Sequence, residues 1–404
     1  MNLHAARYVD RWAGPPVHLA LHAAGRATGR RLAPLGATTP PAAGRTWARP
    51  RRVLAIKFYG LGNLVMILPT LAALRAAVPE VEIDFLTLPG NEALLERSGL
   101  VTRVLTVEVA SVARFVRAVV RLVRGLRARG YDTVLDFEQF LKVSGIFGFL
   151  SGAPELIGFD TEGQHRGWLY TTRVVSTDSV HTRELFLRLA IPLGLSPGPA
   201  PHWRLPIAVE DRARVRALLD GGERPLVVMH PGTGESYNRV ALKRWGIERF
   251  AAVADALVAR HGVLVAFTGQ GEGERALVAD AVRLMRHPAL DACGRLGVGE
   301  LAALLAEATV VLTGDTSVMH LAGAVGAPVV ALLGPTPPVL YGPSGARDVV
   351  FYKDLYCSPC LSNYNFKMSA CTDPVCMRSI GADEVLAAIE ERYFAEPHAR
   401  RLAT

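Results

Sequence analysis

From residue 52 onward, short apolar runs alternate with longer amphipathic stretches, and this alternation restricts the fold more than any other feature. RRVLAIKFY has the pattern of a buried strand, and LVMILPTLAALRAAVP that of a helix with Pro69 inside it. VEIDFLTL, VTRVLTV and YDTVLDFE continue as strands, with GNEALLERSG and VARFVRAVVRLVRGLRARG as the helices between them. Residues 151–206 are less regular, with one helix expected around HTRELFLRLAIPLGL, and the Pro/Gly-rich run SPGPAPHWRLP marks a boundary. Beyond it PLVVMHPG, VLVAFTG, TVVLTGD and PVVALLGP repeat the alternation. Strands joined through helices form parallel βαβ units, which take ligands at the carboxyl ends of the strands. The chain is therefore expected to be α/β, with two Rossmann-like domains at 51–205 and 206–404 facing a central cleft, and with a last helix able to return to the N-terminal domain. At 404 residues it is long enough to bury two cores.

Residues 1–50 stand apart. The net charge is +8, and nine arginines against Asp10 alone in residues 1–52 account for all of it. A chain-wide basic surface for nucleic acid is thus not indicated. YVDRWAGPPVHLALHAAGRATGRRL mixes Tyr8, Trp12, Val17, Leu19 and Leu21 with arginine and histidine. It is too interrupted to span a bilayer and lacks a signal-peptide layout. It suits a basic amphipathic segment on an anionic inner-membrane surface, and equally a helix packed on the body and followed by the linker APLGATTPPAAG. Five cysteines, an odd number in so long a chain, do not describe a secreted disulfide scaffold, so a cytoplasmic protein, peripheral at the membrane, is expected.

Chemistry is concentrated where strands end. VVLTGDTSVMHLAGAVG closes a strand with Gly314 and Asp315 and opens a helix with Thr316 and Ser317. Backbone N–H groups at such a helix start suit a diphosphate. Asp315 is equally placed to cap the helix, and His320, one turn along, to face the core. In MHPGTGESYNRVALKRW, His230, Gly232 and Thr233 follow a buried strand. Lys243 and Arg244 can offer charge to phosphate or line a solvated turn, and Trp245 is expected to pack on the following helix. GQGEGER at 269–275 has no Walker or dinucleotide spacing, and Glu272 and Glu274 would repel a phosphate, so a loop beside the nucleotide base is expected. In LAIKFYGLGNLVMILPT, Gly60, Gly62 and Asn63 form the turn after the first strand.

IKFYGLGNLVMILPTLAALR, SGAPELIGF, HPGTG with the KRW that follows, GDTSVMHLAGAVGAPVVALLGPT and CSPC-x10-C-x4-CM occur in this order between residues 52 and 390. Together they resemble glycosyltransferase family 9, the ADP-heptose:lipopolysaccharide heptosyltransferases. The resemblance implies a GT-B fold and metal-independent, inverting transfer with no cofactor beyond an ADP-linked sugar donor. It assigns donor contacts to the C-terminal domain at Lys243, Asp315, Thr316 and Ser317. A glycolipid or glycan acceptor would dock on the N-terminal domain at Gly60, Gly62 and Asn63.

One departure matters. The family usually has Asp as its base where this chain has Asn63 after Gly62. An amide can hold a hydroxyl but cannot take its proton. Asp136, Glu138 and His181 are the alternatives, and Glu138, just beyond an apolar run, is the expected base; its structural reading is a surface carboxylate or a partner for Lys142 at helical spacing. Loss of the base would instead leave a nucleotide-sugar- or glycan-binding protein without catalysis. Cys357, Cys360, Cys371 and Cys376 have spacings that tetrahedral zinc accepts, but a reduced or adventitiously paired set of loop cysteines with no metal is favoured, and Cys293 is expected to be buried.

Overall fold

The computed structural model describes residues 3–34, 49–107, 112–161, 163–220, 224–234, 240–362 and 369–395. Most of the linker expected after residue 32 lies outside them. The chain divides into two compact units, Met1–Trp203 and Arg204–Thr404, two residues from the expected boundary.

The first unit runs α1 Leu3–Ala27, β1 Arg52–Ile56, α2 Leu61–Ala77, β2 Glu82–Thr87, α3 Glu92–Arg97, β3 Arg103–Thr106, α4 Val112–Arg129, β4 Thr133–Asp136, α5 Val143–Leu150, β5 Glu155–Asp160, β6 Thr172–Val175 and α6 Thr182–Arg188. The second runs α7 Val209–Leu218, β7 Leu226–His230, α8 Ile247–His261, β8 Leu264–Phe267, α9 Glu272–Leu284, β9 Leu290–Asp291, α10 Val298–Ala306, β10 Val310–Gly314, α11 Ser317–Val325, β11 Val329–Leu333, α12 Pro338–Tyr341, β12 Val349–Tyr352, α13 Val375–Arg378 and α14 Ala382–Ile389. The irregular stretch of the sequence thus holds two further strands, β5 and β6. β5 has acidic residues at both ends and a glycine within, and β6 carries threonine and arginine, so neither is an unbroken apolar run.

Each unit holds one six-stranded sheet, ordered β3-β2-β1-β4-β5-β6 in the first and β12-β11-β10-β7-β8-β9 in the second. All neighbouring strands are parallel, so helices must cover the sheets, and the central strands β1, β4, β7, β10 and β11 are almost wholly buried. The two orders are the same doubly wound pattern, with the direction of winding reversing between β1 and β4 and between β7 and β10. Ligands in such folds bind outside the carboxyl ends of the strands at that reversal. Register places Ile56 beside Asp136 in the first sheet and His230 beside Thr313 in the second. Nearly every expected site residue therefore falls at one of the two reversal points. α2 runs on through Pro69, which is buried inside it.

α1 is docked on the first unit. Asp10 accepts the backbone N–H groups of Lys142 and Val143 at 2.8–3.1 Å. His18 Nε2 donates to the Lys142 carbonyl at 2.8 Å, and His22 Nδ1 to that of Trp168 at 2.7 Å. α14 lies on α8 within the second unit, where Trp245 Nε1 donates to the Ile380 carbonyl at 2.8 Å.

Candidate active site

At the first reversal point, β1 delivers Lys57 and β4 delivers Glu138 into the interior. Lys57 Nζ and Glu138 Oε2 are 2.8 Å apart, with side-chain exposures of 1% and 0%. Glu138 Oε1 accepts the backbone N–H of Phe58 at 2.8 Å and of Tyr59 at 3.4 Å. The carboxylate therefore fixes the strand exit leading to Gly60, which has φ 89° and precedes α2. Both oxygens are engaged by protein groups and the carboxylate is sealed from solvent, which is not the setting expected of a group that takes an acceptor proton. Its structural reading is corrected: the carboxylate is buried, not at the surface, and its partner is Lys57, not Lys142. Asn63 is the third residue of α2 and half-buried, and its amide folds back over Gly60, where an added Cβ would come within 2.8 Å of Nδ2.

The other two alternatives are also occupied. Asp136 is fully buried and accepts from Ser144 Oγ at 2.8 Å, Tyr170 Oη at 2.7 Å and Arg166 Nη2 at 3.1 Å. Burial pushes its pKa up against the lowering field of Arg166. Arg166 also donates to the Glu138 carbonyl, which joins the two groups in one network. His181 caps α6, its Nδ1 accepting the Arg183 N–H at 3.2 Å.

The second reversal point gathers the expected donor residues. Lys243 Nζ lies 2.6 Å from Asp315 Oδ2, and Thr336 Oγ1, after β11, donates to the same oxygen at 2.6 Å. Burial alone would raise the Asp315 pKa, but Lys243 and these hydrogen bonds hold it well below the usual carboxylate range. Asp315 is thus a pinned anion, not the helix cap; Thr316 caps α11, accepting the Val318 N–H at 3.2 Å. A Cβ added to Gly314 would sit 3.4 Å from the Lys243 carbonyl, so the lysine loop passes directly over the strand end. Ser317 opens the helix, and His320, one turn along, meets Tyr341 edge-on at 6.3 Å between ring centroids.

The neighbouring HPGTG loop is held by Glu274. Its carboxylate accepts the Gly234 N–H at 2.7 Å and the Gln270 N–H at 2.8 Å. It also lies where any side chain at Gly232 would have to go. His230 is buried, its Nδ1 3.1 Å from Thr268 Oγ1, and burial lowers its pKa. Thr233 follows, half-buried, at the mouth of the loop. Glu274 therefore ties two loops together. Trp245 packs edge-on against Phe250 at 5.0 Å, as expected.

Lys57, Thr336 and Glu274 escaped sequence reasoning as site residues. A lysine closing the apolar run of β1 and a threonine just past β11 were available signals. All five cysteines are free thiols, Cys293 and Cys376 being buried. Among the described residues no group of three or more His, Cys, Asp or Glu side chains is set to hold a metal ion.

Two doubly wound parallel sheets, one in each unit, are the sheets of the GT-B fold. The chain matches glycosyltransferase family 9 (heptosyltransferase) over residues 119–368, more than half its length, and belongs to that family. Lipopolysaccharide heptosyltransferase 3 of Escherichia coli K12 is 24% identical over 301 residues, which is 73% of this chain and 86% of that protein. Lipopolysaccharide heptosyltransferase 1 of Pseudomonas aeruginosa is 26% identical over 329 residues, 77% of this chain and 86% of the relative. Among solved structures, a family 9 glycosyltransferase of Veillonella parvula superposes with a TM-score of 0.71 at 22% identity, covering 86% of this chain and 98% of its own. E. coli heptosyltransferase WaaC with ADP gives 0.60 at 20% identity, covering 84% and 99%.

Proposed function

We propose that the protein transfers a heptose from an ADP-linked donor to a lipid-linked glycan acceptor of lipopolysaccharide synthesis, with inversion at the sugar carbon. The observation that carries this reading is the Lys243–Asp315–Thr336 cluster at the start of α11. Bond breaking leaves negative charge on the departing diphosphate. An ammonium held in place by a pinned carboxylate, beside the N–H groups that open α11, is a preorganised counter-charge for it. Because Asp315 holds Lys243 before any donor arrives, little reorganisation is needed at the moment of reaction. The names of the relatives support heptose and lipopolysaccharide, and the ADP in the WaaC structure supports the nucleotide.

On the acceptor side, Asn63 orients the attacking hydroxyl from the start of α2, and Glu138 with Lys57 keeps the backbone under that turn fixed. Glu138 enters the reaction through the turn, not by accepting the proton.

A transfer assay offering ADP- and GDP-linked sugars to a lipopolysaccharide core acceptor tests the reading. Lys243→Ala should lower kcat by roughly 10²–10³, the scale of one lost transition-state donor. Tight ADP binding without transfer or donor hydrolysis, for every sugar offered, would favour the binding-protein alternative that Asn63 raises. Equal turnover in wild type and Lys243→Ala would remove the cluster from the mechanism.

A further inference from the structure

α1 meets the first unit on the segment that supports the acceptor turn. Its inward stripe is Asp10, Gly14, His18, His22 and Gly25, at helical spacing, while Trp12 and Leu19 stay exposed. Asp10 takes the N–H groups of Lys142 and Val143, and His18 gives its Nε2 proton to the Lys142 carbonyl. Lys142 is the N-cap of α5, and its own side chain makes no capping bond. The cap comes instead from α1, 132 residues earlier in the chain. Gly14 lets the helix come this close: a Cβ there would sit 2.4 Å from Lys142 Cδ and 2.9 Å from its Cβ. Lys142 is itself buried, and burial pushes its pKa down while the field of Asp10 pushes it back up. α1 thus supplies a cap, a carbonyl partner and a counter-charge at one residue.

That residue follows Glu138 by one helical turn, on a segment that grips the approach to α2 at several points. Glu138 binds Lys57 and the N–H groups of Phe58 and Tyr59. The Phe140 ring lies 6.0 Å from Lys57 Nζ, and Phe147 of α5 meets Phe58 edge-on at 6.0 Å between ring centroids. A second path runs through the short helix Arg166–Leu169. His22 Nδ1 donates to the Trp168 carbonyl at 2.7 Å, and Arg166 donates to the Glu138 carbonyl. Lys57, Phe58, Glu138, Phe147 and Arg166 are all buried. A close-packed interior of this kind passes a displacement on, because no side chain can move without moving its neighbour.

We propose that Asp10, Gly14 and His18 are positioning residues for sugar transfer: docked, α1 holds the 137–147 segment against Lys57 and Phe58, and this sets Gly60 and Asn63 where the acceptor hydroxyl is oriented. The inference rests on the reading of Asn63 given above. It adds that the helix ahead of the first sheet is a working part of the acceptor half. The donor cluster belongs to the second unit, so undocking α1 should slow transfer and leave ADP binding as it is.

Hydrogen exchange on the full chain reads the coupling without any substrate, and transfer from ADP-heptose to a lipopolysaccharide core acceptor reads its consequence. Asp10→Ala should speed exchange of α1 and of residues 57–64 by about tenfold, the scale of a lost helix cap, with β7 and β10 unchanged. It should lower kcat by about tenfold at unchanged ADP affinity, and Asp10→Asn, which keeps one acceptor oxygen, should recover part of both losses. Gly14→Val, whose side chain overlaps Lys142, should undock α1 by a separate route and give the same pattern. Wild-type protection of residues 57–64 while α1 exchanges faster, or an α1 unmoved by both variants, would overturn the proposal. Loss of ADP affinity in step with kcat would mean general unfolding and would overturn it as well. A wild type that transfers nothing would overturn the reading of Asn63, and the exchange result would still decide the coupling.

Discussion

Glu138 shows how far a residue's role depends on what surrounds it. Read from the chain, a carboxylate two residues past a strand looks like a cleft group, but folding places it opposite Lys57 with neither side chain reaching water. Removing one partner of such a pair leaves a buried charge uncompensated, at a cost of about 3–5 kcal/mol. Glu138→Gln should therefore lower stability by that order in denaturant melts, and Lys57→Met added to it should recover part of the loss. If Glu138→Gln melts like wild type and yet cuts turnover steeply, with the acid limb of the residual rate gone, Glu138 is a base after all. Asn63 gives the converse prediction. A carboxylate at the third position of α2 sits at the positive end of the helix, worth about 0.3–1 kcal/mol. Asn63→Asp should be at least as stable as wild type, and its pH–rate profile should gain an acid limb and a higher plateau. An unchanged profile would mean that proton transfer is not what Asn63 limits.

At the scale of elements, α1 is held by groups that titrate. His18 has an ordinary value of 6.5 and is pulled down to about 4, chiefly by burial and further by the fields of Arg166 and Lys142. The unfolded chain therefore takes up a proton that the docked helix refuses. The contribution of His18 is complete above pH 6.5 and is lost as pH falls toward 4. Asp10, whose pKa burial raises, acts with the opposite sign near the lower end of that window, where protonation relieves a buried charge. Hydrogen exchange across α1 should accelerate as pH drops from 6.5 to 4, after correction for intrinsic rates, and protection unchanged over that range would contradict the assignment. The HPGTG loop makes a steric prediction. In Gly232→Ala the new Cβ meets the Glu274 carboxylate, so the loop must shift, at about 1–3 kcal/mol for an overpacked site. Nucleotide affinity should fall along with stability, and Glu274→Ala in the same chain should restore the melting temperature only in part, because Glu274 also holds Gly234 and Gln270.

For the molecule as a whole, the two sheets were readable because most strands lie in apolar runs and the crossovers between them have helical period. β5 and β6 were missed for their mixed composition, and the edge strands β9 and β12 for their two and four residues. The donor elements were readable for a different reason: Gly314 to Ser317 are consecutive, so strand end and helix start appear together in the chain. What remained illegible was pairing at a distance. Lys57 meets Glu138 across 81 residues, and Thr336 reaches Asp315 only because β11 lies beside β10. The direction of α1 was equally hidden, since hydropathy would have turned Trp12 and Leu19 inward, while Asp10 and His18 instead find backbone partners on α5. The account's central claim is that Lys243, pinned by Asp315, is the counter-charge for a nucleoside diphosphate. Calorimetric titration of the full chain with ADP tests it most directly. Lys243→Met should weaken ADP binding by about tenfold to a hundredfold, the loss of a charge-assisted contact worth roughly 1.5–3 kcal/mol. An ADP affinity the same in Lys243→Met as in wild type would contradict it.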